Sequence, residues 1–232
     1  MNPVPMTFAP ILKPKVWGGR RLADYGKDLG AMDAVGESWE LADLPDSIEE
    51  GRSVVDSGPL AGKTLHALLE EDSSWIMGRA SCSGEGGFPL LIKYLDARED
   101  LSMQVHPDEQ WVRSHPEDHL KTESWIILEA EEGAMLYKGI RPGVDPDAFA
   151  RAIEDGSVVD LVEVVPARVG DCHDLPSGTC HALGKGILVA EIQTPSDTTF
   201  RVFDWGRTDR TLHIEQALQC IAFQPAAKME AY

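Results

Sequence analysis

A glycine-framed turn that ends in an imidazole constrains this chain more than any other stretch. Gly170-Asp171-Cys172-His173-Asp174-Leu175-Pro176-Ser177-Gly178-Thr179-Cys180-His181 reads as a strand that runs into a tight turn, closed by Pro176 and Gly178, and leaves on a new strand. The turn fixes the His181 imidazole rigidly, as a metal ligand requires. Upstream, Gln104-Val105-His106 puts an amide oxygen and a second imidazole on one face of a strand, because strand side chains alternate. Between them, Lys121-Thr122-Glu123 opens a further apolar run. Taken alone, a Gln-x-His pair is an ordinary polar strand face. Amide, imidazole, carboxylate and imidazole on three strand-like segments instead describe a mononuclear metal site inside a β-barrel. Lys121 shares a face with Glu123, which places both in one polar pocket.

The rest of the chain supports a mainly-β reading. Strands are expected at residues 37–42, 88–96, 102–106, 124–128, 134–137, 162–165, 187–192 and 198–205. In the last of these, Thr199, Arg201 and Phe203 share one face. Helices are expected at 64–71 with Thr64 as N-cap, at 145–155 ending on Gly156, and at 211–220. Residues 81–87 read as a flexible loop. Short strands punctuated by turns, with few helices, indicate a jelly roll. A chain of 232 residues accommodates one large domain.

The net charge of −18 argues against nucleic acid as a partner, since its phosphates would be repelled. No apolar stretch is long enough to cross a bilayer and the N-terminus lacks a signal peptide pattern. Cys82, Cys172, Cys180 and Cys220 have no framework spacing, so free thiols in a reducing cytoplasm are expected. Cys172 and Cys180 read as small core residues, and His66, His115, His119 and His213 as surface groups, with His173 close to the metal ligands. A phosphate site in so acidic a chain needs its own cations, because distant carboxylates are screened. Lys93, Arg98, Lys121 and Arg201 are available for that.

The glycine–proline–histidine pattern resembles the second cupin motif, with Lys185 where cupins commonly place Asn. The run from Lys93 to Asp108 resembles the type I mannose-6-phosphate isomerases. So do Lys121-Thr122-Glu123, Ser177 to Ala182 and Ser196 to Val202. Val16-Trp17-Gly18-Gly19 and Gly36-Glu37-Ser38-Trp39-Glu40 are similar to that family's N-terminal signatures. With gaps, the resemblance runs from about residue 8 to residue 210, in the family's order.

The resemblance implies a cupin-type double-stranded β-helix and an aldose–ketose isomerisation of mannose 6-phosphate and fructose 6-phosphate through an enediol. It makes Gln104, His106, Glu123 and His181 the ligands of one divalent ion. Zn²⁺ suits that donor set first, with Mn²⁺, Co²⁺ and Fe²⁺ open. Lys121, Asp197 and Arg201 become the acid/base and polarising groups, and Lys93 a substrate-facing cation. Short-form relatives generally continue into a smaller second β-domain, so a single cupin-like domain over 1–232 is the expectation here. Two other readings stay open: a metal-containing sugar-phosphate binder without turnover, and a cupin Fe²⁺ oxygenase, which Gln104 disfavours where such enzymes carry a histidine.

Overall fold

The computed structural model describes residues 5–84 and 86–223. Its strands are β1 (Ile11–Lys13), β2 (Glu37–Leu41), β3 (Leu91–Ala97), β4 (Met103–Val105), β5 (Glu123–Ala130) and β6 (Met135–Ile140), followed by β7 (Val162–Pro166), β8 (Cys172–Leu175), β9 (His181–Leu183), β10 (Ile187–Gln193) and β11 (Phe200–Phe203). They form two antiparallel sheets, ordered β1-β2-β3-β10-β5-β8 and β11-β4-β9-β6-β7. The expected jelly roll is therefore present as a two-sheet sandwich with outer strands, and the site lies between sheets instead of inside a closed barrel.

Alternation decides what each sheet face buries. On β4, Met103 and Val105 face outward into an apolar cluster with Phe149, Ile153 and Ala217. Those last three come from α3 (Pro146–Asp155) and α4 (Ile214–Cys220), which roof that face. Gln104, between the two apolar residues, is left for the interior. On β9, Ala182 joins the outer cluster, while Leu183 packs between the sheets with Leu95, Trp125, Ile127, Leu136 and Val189. β10 lies between β3 and β5, in unbroken register with β3 and with one shift at Leu188/Val189 against β5.

Several expected boundaries move for local reasons. The strand expected from residue 88 starts at Leu91, because Pro89 has no N–H to give to a ladder. The strand expected to 205 ends at Phe203; Asp204 caps a turn and Trp205 sits at φ +55°. Helix α1 (Leu65–Met77) starts on Thr64, whose side chain accepts from the Ala67 N–H, and runs past its expected end with a break at Asp72. The helix at 145–155 is as expected: Asp145 caps it and Gly156 is left-handed at its end. A short helix, α2 (Glu109–Ser114), was not expected; its signal was Asp108, which accepts from the Trp111 N–H. Cys172 is exposed on the outer strand β8, not in the core, because the Pro176 turn sets the alternation that faces Leu175 inward. Cys180 is core, and burial pushes its thiol up to about 12.

Candidate metal centre

The Pro176–Gly178 turn does more than present His181. Thr179 N–H donates to Pro176 O at 3.0 Å and Gly178, at φ +83°, donates its N–H to His106 O at 3.1 Å. Ser177 N–H donates to Thr122 Oγ1 at 3.3 Å, between Lys121 and Glu123. One turn thus touches all three segments that carry the expected ligands. β4 pairs with β9 at Gln104 opposite His181, and with β11 at Gln104 opposite Arg201. Glu123 arrives from the opposite sheet, opposite Gln193 on β10 and Leu175 on β8.

The imidazole orientations follow from their partners. His181 Nδ1 lies 2.8 Å from Thr179 O, and His106 Nδ1 lies 3.2 Å from Thr198 O. A carbonyl only accepts, so each Nδ1 carries a proton, and in the neutral ring the lone pair is left on Nε2. Both Nε2 atoms point at one carboxylate: His181 Nε2 is 3.2 Å from Glu123 Oε1, and His106 Nε2 is 3.3 Å from Oε2. Burial, then Lys121, pushes the His106 pKa down to about 3, which keeps that ring neutral. Burial alone would raise the Glu123 carboxyl, but the Lys121 ammonium and the imidazoles hold it well below the usual carboxylate range. The result is acceptor facing acceptor. His106 Nε2 and both Glu123 oxygens are buried without a well-formed hydrogen bond, although Lys121 Nζ lies 3.1 Å from Oε2.

That arrangement fits a cation and little else. The His106, Glu123 and His181 ligand atoms lie within 4.8 Å of one another. Tetrahedral bonds of roughly 2.0–2.1 Å hold their donors about 3.3 Å apart, the spacing seen between each imidazole and Glu123. The Gln104 amide lies 3.4 Å from His181 Nε2 through its nitrogen, and a half-turn of the amide offers its oxygen instead. Each Nδ1 is already used on a backbone carbonyl, the device that orients metal-binding histidines.

Beside the triad opens a cavity of about 200 Å³. Gln104, Lys121, Asp197, Arg201, Trp17, Trp39 and Lys93 are among the residues that line it. Asp197 is exposed at the rim, whereas Lys121 is buried. Lys93 is buried too, donating to Gln193 Oε1 at 2.7 Å and lying 3.0 Å from Glu191 Oε1. Arg98 is exposed beside Glu99 and does not line the cavity. His173 faces Trp125 across β8 and β5, and no hydrogen bond or ion pair joins it to the triad among the described residues. The histidines expected at the surface are half-buried: His66 against Asp43, His115 stacked on Trp111, His213 bonded to the Arg201 backbone, and His119. Glu191, Glu37 and Arg210 also line the cavity and were not foreseen. Glu191 had a signal, as a single carboxylate within the apolar run 187–192.

Fold and site together define a cupin-type jelly roll with a candidate histidine–carboxylate metal centre beside a polar cavity. Residues 7–135 match the family model for the phosphomannose isomerase type I catalytic domain. A probable mannose-6-phosphate isomerase of Bacillus subtilis is 40% identical over 223 residues, covering 94% of this chain and 68% of the relative. A mannose-6-phosphate isomerase of Streptococcus mutans is 36% identical, covering 98% of this chain and 71% of its own. The crystal structure of a mannose 6-phosphate isomerase from Bacillus subtilis superimposes with a TM-score of 0.87 at 34% identity, over 98% of this chain and 71% of that one. The fold is also shared, at a TM-score of 0.73 and 15% identity, with a zinc-bound mannose 6-phosphate isomerase, over 95% of this chain and 75% of that one. The chain belongs to the type I phosphomannose isomerase family.

Proposed function

We propose that this protein interconverts mannose 6-phosphate and fructose 6-phosphate with one divalent ion, zinc, held by Gln104, His106, Glu123 and His181. The observation that carries the reading is the pair of imidazole Nε2 atoms aimed at one buried carboxylate, each with its Nδ1 held by a backbone carbonyl. The donor set, two imidazole nitrogens with carboxylate and amide oxygens, suits zinc and leaves room for a further ligand. Membership of an isomerase family stands against the reading of a binder without turnover.

The reaction moves a proton from the carbon next to the aldehyde to the aldehyde carbon, through an enediol. When bound, the ion supplies Lewis-acid polarisation of the sugar oxygens at that end of the cavity. The chain does the rest. Lys121, buried in the cavity lining and beside Glu123, is placed to exchange a proton with the reacting oxygens and carbons. Arg201 presents its guanidinium to the bound sugar phosphate, and Asp197 at the rim is the further acid/base group. Trp17, Trp39 and the tethered Lys93 form the wall against which the sugar lies and exclude water from the far side. The described sandwich works as one catalytic domain. No helix among the described residues is long and apolar enough to cross a membrane, and the four thiols are free, which supports a cytoplasmic setting.

Wild-type protein loaded with zinc, incubated in deuterated water with mannose 6-phosphate, should yield fructose 6-phosphate and carry solvent deuterium at the carbon that receives the proton. With metal content confirmed by elemental analysis, absence of both product and deuterium overturns the isomerase reading.

A further inference from the structure

The isomerase reading leaves a charge problem: a chain of net charge −18 must hold a dianionic phosphate. The cavity solves it locally. Its lining carries Lys15, Lys93, Lys121, Arg201 and Arg210 against Glu37, Glu191 and Asp197, so it is net positive among the described residues. These cations are not equally available. Lys15 lies 3.2 Å from Glu37, Lys93 3.0 Å from Glu191 and Lys121 3.1 Å from Glu123. Each of those ammonium groups is a point charge already matched by a carboxylate.

The two arginines differ. Arg201 donates one Nη1–H to Thr211 O at 2.8 Å, and its Nε is buried with no hydrogen-bond partner among the described residues. Arg210 forks onto Asp204, with Nε 2.8 Å from Oδ2 and Nη2 on Oδ1. A guanidinium has five N–H groups and this fork uses two, so the opposite edge stays free. Asp204 is 3% exposed and sits at the end of β11, the strand that carries Arg201. It also accepts from Arg207 Nη2 at 2.7 Å. Arg207, however, spends the same nitrogen on Asp100 O at 2.7 Å and does not line the cavity.

We propose that Arg210 is the second cation, beside Arg201, that grips the substrate's phosphate, and that Asp204 is the positioning residue that aims it. Arg207 is a strut that ties the 204–210 turn to the loop at Asp100. Three features carry this. The Asp204 fork fixes the Arg210 plane before any ligand arrives, so little rotamer freedom is lost on binding. Two guanidinium groups lining one cavity repel each other, as the depression of the Arg201 pKa by burial and then by Arg210 reflects, and an anion in that cavity relieves this. The unpaired Arg201 Nε supplies a donor that lacks an acceptor until one is brought in. The inference rests on the isomerase reading for the identity of the phosphate ester and not for the existence of the anion site.

The test uses Arg210→Ala, Arg210→Lys, Asp204→Asn and Arg207→Gln in the full zinc-loaded chain, with inorganic phosphate as the probe. Losing one bidentate charged contact should raise the KM for mannose 6-phosphate and the Ki of inorganic phosphate together, by roughly 10- to 100-fold. The kcat should stay within about threefold and metal content should not change. Arg210→Lys should recover part of the loss. Asp204→Asn should raise both constants by about tenfold while Arg207→Gln lowers Tm and leaves both within about twofold. Arg210→Ala with unchanged KM and Ki overturns the proposal, as does a loss confined to kcat. Should the wild type turn over no sugar phosphate, calorimetric titration of inorganic phosphate into wild type and Arg210→Ala still decides: equal affinities overturn the anion site, and weaker binding by the variant upholds it. Asp204→Asn bears on the positioning role only where its Tm shows a folded protein, and Arg210→Ala needs no such condition.

Discussion

Two buried charged clusters lie beside one cavity, and they are built on opposite terms. The first lines it through Lys93, Glu191 and Glu37, and the second is reached through the lining residues Gln104 and Lys121. In the Lys93 cluster every charge lies against an opposite charge, although Glu191 Oε1, like the Glu123 oxygens, lacks a well-formed hydrogen bond. Lys93 reaches Glu191 and Gln193, the Trp125 indole N–H donates to Glu191 Oε2 at 2.9 Å, and Trp39 donates to Glu37 at 2.7 Å. In the His106–Glu123–His181 cluster acceptors face acceptors, and the only ammonium at hand, Lys121, sits to one side. Buried polar atoms left unpaired cost free energy, so a fold keeps them where something else completes them. Burial and charge are common to both clusters, so neither marks the functional one. What sets the candidate metal centre apart is that two imidazole nitrogens converge on one carboxylate.

His181→Ala breaks the contrast most. It removes one of the converging lone pairs and the anchor held by Thr179 O. Metal content should drop below about a tenth of an ion per chain and turnover should fall by roughly 10³-fold or more, with the two losses moving together. Elemental analysis alongside the isomerase assay checks this; full metal occupancy in the variant would show that His181 is not a ligand. The opposite cluster should fail in the other way. Lys93→Met leaves Glu191 and Gln193 without their buried donor, so unfolding should cost on the order of 3 kcal/mol less, read from urea denaturation, while metal content is retained. A metal-free but equally stable Lys93→Met protein would reverse the assignment of roles.

Much of the first cluster was legible in the sequence, because its signals are local. Alternation places Gln104 inward between Met103 and Val105, and Pro176 with Gly178 fixes the entry to His181. The pairing of those segments needed only strand periodicity and turn chemistry. The second cluster was not legible, since it depends on register: Glu191 meets Lys93 because β10 and β3 align those two residues as direct partners. Arg210 was hidden for a similar reason, as its direction is set by Asp204 and not by any strand of its own. Cys172 was misplaced because residue type alone read it as a small core group, whereas β8 is an outer strand that leaves it exposed.

Lys121 sharpens the comparison, since it is the one charge that touches the metal set without completing it. Lys121→Ala should lower turnover by about 10²-fold, as expected for loss of an acid/base group, while zinc content stays normal. Glu123 then loses a neighbouring ammonium but keeps its place between the imidazoles. Steady-state kinetics on protein of measured metal content makes the check, and parallel loss of metal would move Lys121 from chemistry to site assembly.

The smallest effect tests the paired cluster through pH. Burial alone would lower the Lys93 pKa, but Glu191 and Glu37 raise it from 10.5 to about 12. A folded pKa above the unfolded one means a stabilisation that is fully present below about pH 10.5 and lost as pH rises through 12. Glu37 has the opposite sign. Burial would raise it, yet Lys93 and then Lys15 bring it down from 4.5 to about 2, so its share is present above pH 4.5 and lost as pH falls through 2. The alkaline limb is worth on the order of 2 kcal/mol at most and the acid limb on the order of 3, and the two share one set of interactions, so they do not add. Acid unfolding also reports Glu123, whose carboxyl is held down as well. The alkaline limb therefore isolates the Lys93 cluster better. Tyr25 and Tyr137, both raised by burial first, contribute to that limb in wild type and in Lys93→Met alike, so they drop out of the difference between the two. Urea midpoints measured from pH 7 to 11.5 should fall more steeply in the wild type than in Lys93→Met, bringing the two curves closer as pH rises. Parallel curves would mean that Lys93 gains no protonation energy from Glu191 and Glu37, and the wall of the cavity would then be held by packing against Trp39 alone.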